Sequence, residues 1–127
     1  MPHLRIEVST ELATALDWNQ LADNIHSDLA DCGWAAINDL KTRVFVCAAA
    51  LAGKDRHAQQ LVATLIITNP RPAEVQHAMT DRILDRLEKA VRDLQPVYWV
   101  QCCVFLQVTP KQDYAKRQWN APTALQP

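Results

Sequence analysis

The chain opens Met1-Pro2-His3-Leu4-Arg5-Ile6-Glu7-Val8, and its most distinctive chemistry lies at the second residue. A small residue behind the initiator permits removal of Met1. That would leave Pro2 as a secondary amine, a strong nitrogen base, at the head of a strand rigid enough to aim it. Acylated by Met1, the same nitrogen is a tertiary amide and takes no proton, so this chemistry belongs to the processed chain. Proline is also a common second residue and a tolerated strand opener. A base working near neutral pH must be partly unprotonated. Burial and neighbouring cations both disfavour an ammonium and lower its pKa. The same cations would bind carboxylates through bidentate hydrogen bonds and stabilise negative charge growing on an enolate.

The elements that must position such a base read as a doubled unit. Residues 2–8 alternate as a strand, with Leu4, Ile6 and Val8 on one side and His3, Arg5 and Glu7 on the other. A helix follows over about 17–32, with Asp17 as N-cap and Gly33 placed to stop it. Residues 43–48 are rich in side chains that suit a pleated surface; 49–53 are ambiguous and 54–57 form an exposed turn. The pattern then restarts, with a strand over 60–67, a break at Asn69-Pro70-Arg71-Pro72, an amphipathic helix over 73–94 and a strand over 97–108. From Pro110 the tail is polar, with Tyr114 and Trp119 as its large anchors.

The expected fold is therefore α/β: two consecutive β-α-β units, 1–53 and 54–109, in a single domain over 1–127 with a tail over 110–127. Strands within a unit should run parallel, in one four-stranded sheet with two helices on one face. Val44, Val46, Val62, Thr64, Ile66, Val100, Cys102 and Val104 are expected on the opposite face. An apolar face without its own helices predicts a homo-oligomer with sheets packed around an axis.

Composition narrows the partners. The 127 residues are 49% hydrophobic with a net charge of −1, which offers no nucleic-acid footprint and no polybasic membrane anchor. No apolar run approaches the ~20 residues that span a bilayer. The amino terminus lacks a signal-peptide pattern, so a cytoplasmic protein is expected. Cys32, Cys47, Cys102 and Cys103 show no CxxC spacing and read as buried free thiols, with a zinc site using His57 or His77 the lesser alternative.

Pro2-His3-Leu4, Leu40-Lys41-Thr42-Arg43-Val44, Arg71 behind the third strand, Phe105-Leu106-Gln107-Val108-Thr109-Pro110 and Tyr114-Ala115-Lys116 occur in fixed order on this doubled chain. In these the sequence resembles the tautomerase superfamily, and within it the 5-carboxymethyl-2-hydroxymuconate delta-isomerase family. The resemblance covers nearly the whole chain. It implies a homotrimer with an amino-terminal proline as general base, and no cofactor or metal. The implied reaction ketonises a dienol dicarboxylate or tricarboxylate during aromatic acid catabolism. Residue by residue it makes Pro2 catalytic and gives Arg43, Arg71 and Lys41 the substrate, a small unsaturated keto/enol acid. Lys41 departs from the family, which has an arginine there; a lysine gives a point charge rather than a planar fork. Pro70 and Pro72 would stiffen the loop that aims Arg71. His3 should point away from the face of Pro2 and Leu4, as a structural residue. Tyr114 and Trp119 either close over the pocket or only anchor the tail.

Two other readings share these residues. One is a non-catalytic oligomeric binding or scaffold protein of the same fold. The other is a hydratase or dehalogenase on unsaturated acids, which would need a polar water-binding partner near Pro2.

Overall fold

The computed structural model describes residues 1–122. Its elements are β1 (His3–Val8), α1 (Thr10–Ala15), α2 (Trp18–Asp31), β2 (Lys41–Val46), β3 (Gln59–Ile67), α3 (Ala73–Leu94) and β4 (Val100–Val108). Short helical turns cover Ile37–Asp39 and Lys111–Asp113. The sheet order is β2-β1-β3-β4. β1 and β2 are parallel, as are β3 and β4, and the two units join antiparallel through β1 and β3. The four-stranded sheet with its two main helices is the doubled β-α-β architecture expected from the sequence.

Local chemistry sets the helix ends. Asp17 caps α2 by accepting from the Gln20 amide at 3.1 Å, and Gly33 follows it at φ +75°, a left-handed position that favours glycine. α3 covers the residues the periodicity predicts and ends at Gln95, a non-glycine residue at φ 50°. α1 was not anticipated. Its N-terminal amides are satisfied from a distance: Gln59 Oε1 accepts from Glu11 and Leu12 at 3.1 and 3.3 Å. Ser9, next to the helix, cannot do this because its hydroxyl accepts from Gln60 N instead.

One core lies between sheet and helices. It combines Leu4, Ile6 and Val8 of β1 and Leu61, Ala63, Leu65 and Ile67 of β3 with Leu12, Leu21, Ile25 and Leu29, and with Met79, Ile83, Leu87 and Val91 of α3. Arg86 ties α3 to α2 by donating to both Asp28 oxygens at 2.6 and 2.9 Å.

Several expectations need correction. β2 starts at Lys41 and ends at Val46, so Lys41 lies inside the strand. β4 starts at Val100, because its partner β3 starts at Gln59 and the ladder has nothing earlier to pair with; Val97 is fully exposed. The face assignment was mixed. The register pairs Ile6 with Val44, Val8 with Val46, Leu61 with Cys102 and Ala63 with Val104. Val44, Val46, Cys102 and Val104, with Val100, therefore lie on the helix side. The open face carries Val62, Thr64 and Ile66 as expected, alongside Phe45, Cys103 and Phe105. The thiols are less buried than expected: Cys32 is exposed and the other three are half-buried. Burial still pushes the Cys102 thiol up to about 11. Among the described residues, no helix is long and apolar enough to cross a membrane.

Candidate active site

Parallel pairing of β1 and β2 brings the amino terminus beside the start of β2. His3 is level with Lys41, and Arg5 with Arg43, so all four share the open face. The tail returns across this end of the sheet. Together they enclose a cavity of about 710 Å³ lined by Met1, His3, Lys41, Arg43, Tyr114 and Lys116, with Leu40, Thr42 and neighbouring tail residues completing the wall.

Each cation is held differently. Lys41 Nζ donates to the Asn38 carbonyl at 2.6 Å. Arg43 Nη1 lies 2.9 Å from His3 Nδ1. A guanidinium can only donate, so Nδ1 accepts and His3 is neutral with its proton on Nε2. The ion pairs among the described residues are Arg5–Glu7, Arg86–Asp28, Lys89–Asp93 and Arg92–Glu88; none uses Lys41, Arg43, Lys116 or Arg117. The wall is thus cationic without carboxylates paired to it, which suits an anion with more than one acidic group.

The chain's first amine sits in that setting. Met1 N donates to Thr68 Oγ1 at 2.7 Å, and Lys116 Nζ lies 3.9 Å from Met1 Sδ. Burial, then the charge of Arg71, holds the amine below the usual α-amine range, with Lys116 and Lys111 adding to the effect and Asp39 opposing it. Pro2 is fully buried, and with Met1 attached its nitrogen is an amide.

The structure brings Lys41 and Arg43 together with the amino terminus. Arg71 reaches the amine by charge but is absent from the cavity wall. Its Nε and Nη2 donate to the Trp34 carbonyl at 3.2 and 2.8 Å, and its Nη1 to that of Asn69 at 2.7 Å. Tyr114 lines the cavity; Trp119 is absent from its wall and largely exposed. His3, given a structural place from the sequence, lines the cavity and holds Arg43. Strand parity already set His3, Lys41 and Arg43 on alternating positions, but not which strands would be neighbours. Thr68 and Lys116 were missed as site residues, and no local pattern marks them.

A pH dependence of stability follows. Burial, then the charge of Arg43, depresses His3, and burial depresses His26, which bonds Thr42 Oγ1 at 2.7 Å. A histidine depressed on folding binds more protons in the unfolded chain, so its stabilisation is full above the usual value of 6.5 and is lost as pH falls below it. The histidines' part of the melting-temperature profile should be flat above pH 7 and decline below about 6.5, and His3→Asn with His26→Asn should flatten the limb below 6.5. The lowered Met1 amine contributes separately, with the same sign, below about pH 8. Asp28, held low by Arg86, has the same sign but acts only below about 3.8.

No family model and no curated protein sequence matches the chain. Solved structures do match in fold. A 5-carboxymethyl-2-hydroxymuconate isomerase from Deinococcus radiodurans R1 shares 15% identity over 91% of this chain and 88% of its own, with a TM-score of 0.78. A macrophage migration inhibitory factor-like protein from Entamoeba histolytica shares 14% over 91% and 95%, at 0.64. A fused 4-OT wild type symmetric trimer shares 14% over 97% and 96%, at 0.66. These neighbours are tautomerase superfamily members, and this chain has their fold.

Proposed function

We propose that the chain, once Met1 is removed, is a cofactor-independent isomerase of the tautomerase type. It ketonises a dienol dicarboxylate or tricarboxylate, such as 5-carboxymethyl-2-hydroxymuconate, by 1,3-proton transfer. The observation that carries the reading is the placement of the amino terminus at a cavity walled by Lys41, Arg43 and Lys116, in surroundings that already lower the pKa of the Met1 amine through burial and Arg71.

In this mechanism Pro2 N takes the substrate's enol proton and returns it to carbon as the carbonyl forms. Arg43 and Lys41 bind carboxylate groups, and their charge favours the neutral amine before reaction and the enolate during it. Lys41 binds as a point charge, which fixes orientation less tightly than a planar fork would. Arg71 contributes from behind the strand end by its charge, since its donors already serve backbone carbonyls. The protein acts in the cytoplasm on aromatic-acid breakdown products and assembles as a homotrimer. Support for assembly comes from half-exposed Phe45 and Phe105 on the open sheet face and from the trimer among the fold neighbours.

A second reading has its own observation. With Met1 in place Pro2 has no basic nitrogen and the Met1 side chain stands in the cavity wall, as in a non-catalytic oligomeric binding protein of this fold. Intact mass of natively expressed protein, paired with an assay on 2-hydroxymuconate, separates the two. Loss of Met1 with ketonisation supports the isomerase; retained Met1 and no turnover favour the binding protein. In an active protein, Arg43→Ala should raise KM at least tenfold, since a charge-assisted contact to a carboxylate contributes about 1.5–3 kcal/mol. An unchanged KM would remove Arg43 from the substrate.

A further inference from the structure

Thr68 directly follows β3 and is 5% exposed, yet it carries a hydroxyl. Continuing the β1–β3 register past His3 and Ile66 sets Thr68 opposite Met1, and Thr68 Oγ1 accepts from the Met1 amine at 2.7 Å. Among the described residues that hydroxyl donates to no acceptor. When Met1 leaves, the hydroxyl loses this partner and faces the vacated space at the amino terminus. A hydroxyl left without a partner in a largely enclosed place is unfavourable, so the vacated position favours a polar occupant.

The place of that occupant is defined by covalent geometry. Successive backbone nitrogens of an extended chain lie about 3.5 Å apart. The position now held by Met1 N is therefore close to hydrogen-bond reach of Pro2 N on one side and bonded to Thr68 Oγ1 on the other. The Met1 nitrogen stands in for a ligand atom that touches both the base and the threonine. Lys116 Nζ, beside Met1 Sδ, bounds the same vacated space with positive charge.

We propose that Thr68 forms an oxygen subsite next to Pro2 and holds the substrate's enol hydroxyl. The nature of the occupant rests on the isomerase reading. Thr68 donates its proton to the substrate oxygen throughout and transfers none. The enol O–H bond breaks toward Pro2 N, the C=O bond forms while still accepting from Thr68, and the same proton passes from Pro2 to carbon. Thr68 thereby favours acids with an oxygen on the carbon beside the carboxylate.

The test uses protein whose loss of Met1 is verified by mass, and two unreactive probes, 2-hydroxyadipate and adipate, titrated by calorimetry. They differ by the oxygen the subsite would read. Wild-type protein should bind 2-hydroxyadipate about fivefold more tightly, the equivalent of one net hydrogen bond. Thr68→Val, which keeps the shape, should erase the preference with little change in adipate binding, and Thr68→Ser should keep it. An equal affinity of wild type for both probes overturns the proposal, as does a preference that survives Thr68→Val, or Met1 retained in the native protein. Turnover of 2-hydroxymuconate reads the other claim separately. A Thr68-dependent preference without turnover would leave the subsite standing and sink the isomerase.

Discussion

Replacing Pro2 by alanine in protein that has lost Met1 should lower kcat for dienol ketonisation by about 100-fold or more, the usual contribution of a positioned general base. The substitution leaves an amine at the chain start but removes the ring that fixes its direction, and with it the secondary-amine basicity. The surrounding charge is untouched: Lys41, Arg43 and the tail lysines remain, so KM should change far less than kcat. The pH profile adds an independent check. Pro2 N, one residue on from the Met1 amine whose pKa burial and Arg71 lower, would meet the same buried, cationic surroundings, so the acid limb of kcat/KM should fall below that of a free amine. Adding Lys116→Ala should move the limb upward, since Lys116 lies beside the amino terminus and its charge disfavours an ammonium there. Activity indifferent to Pro2, or a limb that ignores Lys116, would detach catalysis from the amino terminus.

The largest effect on stability is expected from Leu87→Ala, at about 2–5 kcal/mol. Leu87 is 0% exposed and lies midway along the stripe Met79, Ile83, Leu87 and Val91, with which α3 covers the sheet. Its neighbours belong to a two-layer core with sheet on one side only, and β4, against which α3 packs, cannot move without disturbing its pairing with β3. The cavity would therefore collapse incompletely, adding to the lost transfer energy. Leu94→Ala is the matched control: Leu94 keeps the helical spacing but is 36% exposed at the helix end, so its loss should cost below about 1 kcal/mol. Urea unfolding would read both as shifts in midpoint at unchanged slope. Equal costs at the two positions would mean that α3 does not pack by the stripe described.

Much of this was legible because local patterns obey short-range rules. The fourfold spacing of Met79, Ile83, Leu87 and Val91 set the face of α3, and the alternation of Leu4, Ile6 and Val8 set the face of β1. Asp17 and Gly33 marked the ends of α2 because capping chemistry is contained within a turn. Face assignment failed for β2 and β4, where both alternating sets are apolar: Val44 and Val46 against Phe45, Val100 and Val104 against Phe105. Parity then gives no answer until a partner strand fixes the register. The short helix α1 was hidden for a related reason, since the group that caps it, Gln59, lies 48 residues from Glu11.

The sequence by itself determined the two β-α-β units, the parallel pairing within each, and a proline that only the start of a chain can turn into a base. Those features follow from periodicity, crossover geometry and covalent chemistry, all of which act locally or within one unit. The tertiary structure alone decided that β1 and β3 join antiparallel at the centre of the sheet. That choice opposes Thr68 to the amino terminus, which the β1–β2 pairing has already set beside Lys41 and Arg43, while the tail carries Lys116 to the same place. Contacts across 67 and 115 residues leave no periodic trace, because nothing in the intervening chain is constrained by the meeting of its ends.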